Sequence, residues 1–369
     1  MTGGALRASD LFVNVGVICL NFGVTCVFGG LTTRIWIDLT RLMILRQSFS
    51  RGFIIGTCCS IALLVASNVA IAQSTPTWTQ LSPANSPPAR SYLAMTYDPV
   101  SGKIIMFGGF DGRRYLNDTW AFDGTTWTHL HTRGLPLARA AAQMAYDAVT
   151  QKVVLFGGFN GRNYLGDTWL FDGNTSQWIR VRPAHSPTPV TGPMLFTDPN
   201  GHVDVYGGFD GQFYQYSMWQ WTGTDWNQLN LPALPFARGL AAVGVNASTG
   251  RAVLFGGLAD INPVNTWVYN GTTWTEKFPA TQPLWVYAGS AAFDANLNAV
   301  VLFGGGSGGI DQDTTWKWSS SNWTQVLTTQ SPPAREGAGM VYDPLLGHVI
   351  VFGGQNDEVP LGDTWELLP

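Results

Sequence analysis

Four arginines stand in a repeated setting that suits anion chemistry. Arg90, Arg139, Arg238 and Arg335 each fall eight residues before a short polar residue: Asp98, Asp147, Asn246 and Asp343. A guanidinium is a fixed fork of donors, so several converging at one place favour carboxylates, sulfates or phosphates through paired hydrogen bonds. Arg113, Arg114 and Arg162 follow in the same units, accompanied by Tyr115, Tyr164, Phe213 and Tyr214. The corresponding stretches also hold Asp111, Asp260, Asp311, Asp313, Asp357 and Glu358, which could neutralise the arginines internally. The opposing reading is that Arg at this place packs the start of each unit and meets no ligand.

Other chemistry is sparse. The five histidines (His129, His131, His185, His202, His348) are dispersed. His129 and His131 alternate onto one face of a strand, but two imidazoles without a third ligand do not make a metal site. There is no Gly-x-Ser-x-Gly turn and no phosphate loop. The glycine-rich run 304–309 precedes no helix that could hold a phosphate. No catalytic residue, metal or cofactor is therefore expected.

What must position the arginines is a repeat. Glycine pairs begin at Gly108, Gly157, Gly207, Gly256, Gly304 and Gly353, and a period near 50 residues marks a propeller or solenoid. In the unit 139–178, four short strands can be read. Ala140–Asp147 is rich in small residues, and Lys152–Phe156 is a continuous apolar run. Asp167–Asp172 mixes polar and aromatic residues, and the fourth strand centres on Trp178. After position 73 no segment keeps a helical apolar period for three turns. Small residues on the first strand fit a crowded axis, and the tryptophans of strands three and four fill the wider space further out.

These marks (the glycine pair, Asp-x-Trp at Asp118–Trp120, Asp167–Trp169 and Asp363–Trp365, and a later Trp) resemble kelch repeats over about residues 77–369. Units three to five depart from Asp-x-Trp, reading Ser217-Met218-Trp219, Asn265-Thr266-Trp267 and Thr314-Thr315-Trp316. The resemblance implies an all-β, six-bladed propeller with four antiparallel strands per blade and the first strand innermost. The last unit ends on its third strand, while Thr77–Leu81 reads like the fourth strand Thr126–Leu130. That orphan should close the ring as an N-terminal outermost strand.

In such a propeller the 1–2 and 3–4 turns share one face, and both sets are tight and stereotyped. The opposite face carries the 4–1 linkers and the variable 2–3 loops, where specificity usually sits. The arginines and tyrosines above belong to that face, and the four 4–1 arginines are expected around its channel mouth. Galactose oxidase, a copper enzyme in this superfamily, needs a cysteine-crosslinked tyrosine, and this propeller has no cysteine. Two function classes remain. One is a binding module for an acidic peptide, a glycan or a surface protein. The other is a small-sugar enzyme similar to the six-bladed sialate mutarotases, for which Glu336 and Glu358 are the available glutamates.

Residues 1–72 differ from the rest. Leu11–Leu31 is apolar but interrupted by Asn14, Asn21 and glycines, and Arg34, Arg41, Arg46 and Arg51 follow. The apolar run 52–72 ends Ala70-Ile71-Ala72, so 1–72 reads as an export segment cut after Ala72, with Met43 as the start and 1–42 as over-extension. The rival is a two-helix membrane hairpin. All four cysteines lie in this segment, so no disulfide framework is implied. Without it, 15 of the 20 basic and 22 of the 24 acidic residues remain, net −7. That balance argues against nucleic acid as a partner. A secreted or periplasmic monomer, free of the membrane once cut, is expected.

Overall fold

The structure, a computed structural model, describes residues 21–28, 31–38, 75–261 and 263–369. The chain divides into two units, Met1–Ala72 and Gln73–Pro369. In the first, Asn21–Phe28 pairs antiparallel with Leu31–Asp38, so part of the stretch read as a possible membrane helix is extended strand. The presumed cleavage region, 52–72, lies outside the described residues. Among the described residues no helix is long and apolar enough to cross a membrane.

The second unit is a six-bladed β-propeller, each blade an antiparallel sheet of four strands, in chain order in the first five blades. Blade 2 is typical: Ala140–Asp147, Lys152–Phe159, Thr168–Asp172 and Gln177–Val181. Innermost strands of neighbouring blades adjoin one another around the whole ring. The sixth blade is completed by Thr77–Leu81, which pairs with Thr364–Leu368, Trp78 opposite Leu367. This is the closure expected from the orphan strand.

Between blades the packing is apolar and repetitive. The second strands are almost wholly buried, as at Val153, Val154, Leu155 and Phe156, and each blade's strand-four Trp inserts against its neighbour. That Trp also donates its indole N–H to the preceding blade's third strand. Trp127 bonds Thr364 (3.1 Å), Trp178 bonds Thr119 (2.9 Å), Trp226 bonds Thr168 (2.8 Å) and Trp323 bonds Thr266 (2.8 Å). Trp78 does the same to Thr315 at 2.9 Å, so the closing strand carries an ordinary seam. Blade 3 has Met218 in place of the threonine, and Trp274 points at its sulfur, 3.2 Å away. A buried indole N–H needs a partner, and the middle Thr of Asp-Thr-Trp supplies one.

The glycine pairs have a steric cause. Gly157 and Gly158 both take positive φ, 79° and 102°. A Cβ on Gly157 would lie 2.9 Å from the carbonyl oxygen of Val190 in the next blade, and Gly158 N–H donates to that same oxygen at 2.8 Å. The pair thus lets one blade's second strand touch the next blade's entry. Two elements are not evident from the repeat pattern. The 2–3 loops of blades 5 and 6 form small hairpins, Gly306–Ser307 with Ile310–Asp311 and Gln355–Asn356 with Val359–Pro360.

Candidate functional site

The four 4–1 arginines do not reach the channel. Arg90, Arg139, Arg238 and Arg335 are at most 1% exposed and lie inside their own blades. Arg139 grips Asp167 with both terminal nitrogens, at 2.7 and 3.0 Å. It also donates to the carbonyls of Gly157 and Leu137. Arg90 treats Asp118 alike (2.6 and 2.9 Å), and Arg335 treats Asp363 alike (2.7 and 2.8 Å). Each of these aspartates further accepts the indole N–H of its Asp-x-Trp tryptophan. Burial alone would raise these carboxyls, but the arginine's hydrogen bonds and charge outweigh it and hold them below the usual value. Arg238 finds Asn265 instead, at 3.0 Å, and burial lowers it to about 10.

The expected ring of free guanidinium groups is therefore replaced by internal pairs. Where a blade has Asp or Asn before its Trp, the entry residue is Arg. Where it has Ser217 or Thr314, the entry residue is Val190 or Val286. The two positions change together because they touch.

Two residues beyond each entry residue the backbone turns left-handed: Tyr92, Ala141, Gly192, Leu240, Ala288 and Gly337 all have φ between 49° and 62°. Here each N–H donates to the carbonyl of the equivalent residue in the preceding blade. Ala141 donates to Tyr92, Gly192 to Ala141, Leu240 to Gly192, Ala288 to Leu240, Gly337 to Ala288 and Tyr92 to Gly337, all at 2.7–2.8 Å. Six hydrogen bonds close on themselves around the axis, and two cavities with no lining residue in common lie along it. Residues up to this ring line a cavity of about 420 Å³ on the 2–3-loop face. Residues beyond it line another of about 500 Å³ that includes Asp198 and Pro199 of a 1–2 turn.

The 420 Å³ cavity is walled by Phe110, Tyr115 and Phe159, with Ala141 and Leu240 also in its lining and Gln355 and Glu358 supplied by the adjoining blade 6. The wall comes from two similar loops, Phe110–Tyr115 and Phe159–Tyr164, and a third of the same kind, Phe209–Tyr214, continues beyond it. In each, the second residue's side chain accepts two backbone N–H bonds and fixes the turn: Asp111, Asn160 and Asp210. Each tyrosine then leans over the next loop. Tyr115 packs edge-on to Phe159 (5.9 Å) and sits where a Cβ on Gly161 would be; Tyr164 does the same to Phe209 (5.9 Å) and Gly211. With the pairs Phe110–Tyr115, Phe159–Tyr164 and Phe209–Tyr214, six rings make one unbroken arc over blades 1 to 3. Tyr115, Tyr164 and Tyr214 remain half-buried, each showing part of its ring.

The opposite side of this mouth is acidic. Glu336, largely buried, accepts from Tyr92 Oη at 2.6 Å and from Gln355 Nε2 at 2.9 Å, and Ser91 Oγ in turn donates to Gln355 at 2.9 Å. Burial, then the charge of Glu336, holds the Tyr92 proton on far above the usual phenol range. Of the sequence-derived ligand candidates Tyr115 lines this cavity, and so does Glu358, one of the two glutamates considered for the enzyme alternative. Tyr164 and Tyr214 continue its aromatic rim. Arg113, Arg114 and Arg162 are exposed at loop tips, Arg114 paired loosely with Asp111 at 3.3 Å. The sequence reading missed Tyr92, Phe110, Phe159 and Gln355; the recurrent Phe five residues before each Tyr was the available signal. His129 and His131 lie ring to ring at 5.3 Å, and no metal-holding cluster occurs among the described residues.

Residues 53–257 match the family described as the KLHDC2/KLHL20/DRC7 Kelch-repeats domain. The chain belongs to the kelch-repeat family. The solved structure of YjhT is similar to it with a TM-score of 0.61, over 76% of this chain and 95% of that one, at 16% identity. A likeness at that identity speaks for the kelch propeller fold alone. No curated protein matches the chain. As a kelch propeller, the chain is built as a binding module in general, and which ligand it takes is a matter for the site.

Proposed function

We propose that this kelch propeller binds a glycan at the 2–3-loop mouth, acting outside the cytoplasm after loss of residues 1–72. The observation that carries the reading is the pairing, in one 420 Å³ cavity, of an aromatic wall with polar groups from the adjoining blade. Sugar rings offer apolar C–H faces and a rim of hydroxyls. Phe110, Tyr115 and Phe159 suit the first, and Gln355 and Glu358 suit the second. An acidic peptide or an acidic sugar is less well served, because among the described residues no Lys or Arg lines this cavity. The mutarotase-like alternative loses its cationic partner for the same reason. Export is supported by the basic, then apolar, then Ala-x-Ala order of the N-terminal segment.

A glycan array with the 75–369 protein, followed by titration of the best hit, tests the binding. Tyr115→Ala should weaken it about tenfold or more, as loss of a stacking ring implies, with the melting temperature measured in parallel. Unchanged affinity would end the proposal. Intact mass of exported material should place the first residue at Gln73; a chain retaining Cys58 would contradict cleavage there.

A further inference from the structure

The second cavity has its own chemistry. Its wide end is formed by the residue just before each 1–2 turn: Tyr97, Tyr146, Thr197, Val245, Phe293 and Tyr342. The four aromatic members come from blades 5, 6, 1 and 2, which are consecutive around the closed ring. They form an arc facing Thr197 and Val245. Phe293 and Tyr342 meet nearly edge-to-face, centroids 6.4 Å apart at 64°, so two ring faces are set at a wide angle. All four aromatic side chains are only half-buried, their remaining surface open to the cavity they line.

Immediately behind the arc stand buried carboxylates, Asp294, Asp343, Asp98 and Asp147, each one residue beyond its aromatic partner. Turn N–H and hydroxyl groups are their donors: Val100 and Ser101 for Asp98, Val149 and Thr150 for Asp147, Asn296 and Leu297 for Asp294, Leu345 and Leu346 for Asp343. Among the described residues none of the four is in a salt bridge. Each phenol feels two of them: Tyr97 sits between Asp343 and Asp98, Tyr146 between Asp98 and Asp147, and Tyr342 between Asp294 and Asp343. Among the described residues no Lys, Arg or His lines the cavity. Aromatic faces backed by unneutralised negative charge, in a concave space whose lining mixes ring faces with polar groups, favour a cation that sheds water easily.

We propose that this mouth, opposite the 2–3-loop face, binds a quaternary ammonium group. The trimethylammonium head lies against the arc of Phe293, Tyr342 and Tyr97, and the remainder of the ligand runs along the Thr197 and Val245 wall. An alkylated ammonium is the form the aromatic arc favours, because ring faces attract it without the directed acceptors that an N–H requires; Gln143, Thr197, Asp198 and Ser290 are polar groups elsewhere in the lining. The site is independent of the glycan reading, since the two cavities share no lining residue.

Choline and a trimethyllysine peptide, each titrated by calorimetry into residues 75–369, test the proposal. Binding of choline supports a free small cation, and binding of the peptide alone supports a modified side chain; either upholds the site. The neutral isostere of choline, with carbon in place of nitrogen, should bind much more weakly. Phe293→Leu should weaken the cation about tenfold, whereas Tyr342→Phe, which keeps the ring, should change it little. Melting curves confirm that both variants are folded. Absence of binding to either probe, equal binding of the isostere, or indifference to Phe293→Leu in a folded protein would each overturn the proposal.

Discussion

At the scale of single residues, the entry arginines show how a sequence signal can be real and its meaning displaced. Their spacing was visible, and so were the Asp-x-Trp motifs 28 residues later, but as separate patterns. Only the fold shows that Arg139 and Asp167 are partners, and that Val190 with Ser217 is the uncharged version of the same pair. Removing one member of a buried ion pair leaves the other uncompensated and costs about 3–5 kcal/mol. Arg139→Ala should therefore lower stability strongly in urea unfolding and leave ligand affinity unaltered. Arg139→Val with Asp167→Ser should recover much of the loss, because blade 3 already works that way. These carboxyls sit below the usual value, so their contribution is present at neutral pH and lost as pH falls through it; the double variant should be less acid-sensitive. Asp204 behaves oppositely. It is fully buried at a position where blades 1, 2 and 6 carry Ile105, Val154 and Ile350. Burial, then the charge of Asp198, raises it to about 8, against one hydrogen bond from Gln220. A raised acid contributes stability at low pH, lost between about pH 4 and pH 8 at up to about 1.4 kcal/mol per unit. Asp204→Asn should flatten that slope and be the more stable protein at pH 8. An identical slope in the two proteins would show that Asp204 is not its source.

At the scale of elements, strand order and the closing strand were legible because they rest on period, apolar runs and tryptophan placement, which the repeat states six times. Thr77–Leu81 could be recognised by likeness to Thr126–Leu130, and its pairing follows. Less legible were the 2–3 loops. Asp111, Asn160 and Asp210 fix three of them as turns, while two others become hairpins, and a short loop sequence does not say which. The closing strand makes a direct prediction. Trp78 is fully buried and bonds Thr315 as Trp127 bonds Thr364, so Trp78→Ala and Trp127→Ala should each cost about 3–5 kcal/mol. Thermal or urea unfolding of the two variants should give similar losses; a harmless Trp78→Ala would mean that the ring is not sealed by that strand.

For the molecule as a whole, the six bonds from Ala141 to Tyr92 and onward around the axis all run in one rotational sense. Such a homodromic circuit has neither first nor last member. Its dipoles chase one another and largely cancel, so the ring adds little field of its own to either cavity. Each bond also polarises the next, so the six strengthen one another. In hydrogen exchange these amides should therefore lose protection together, in a single opening that requires the blades to part. The propeller's most central protons would then report the integrity of a seam formed between its two chain-distant ends.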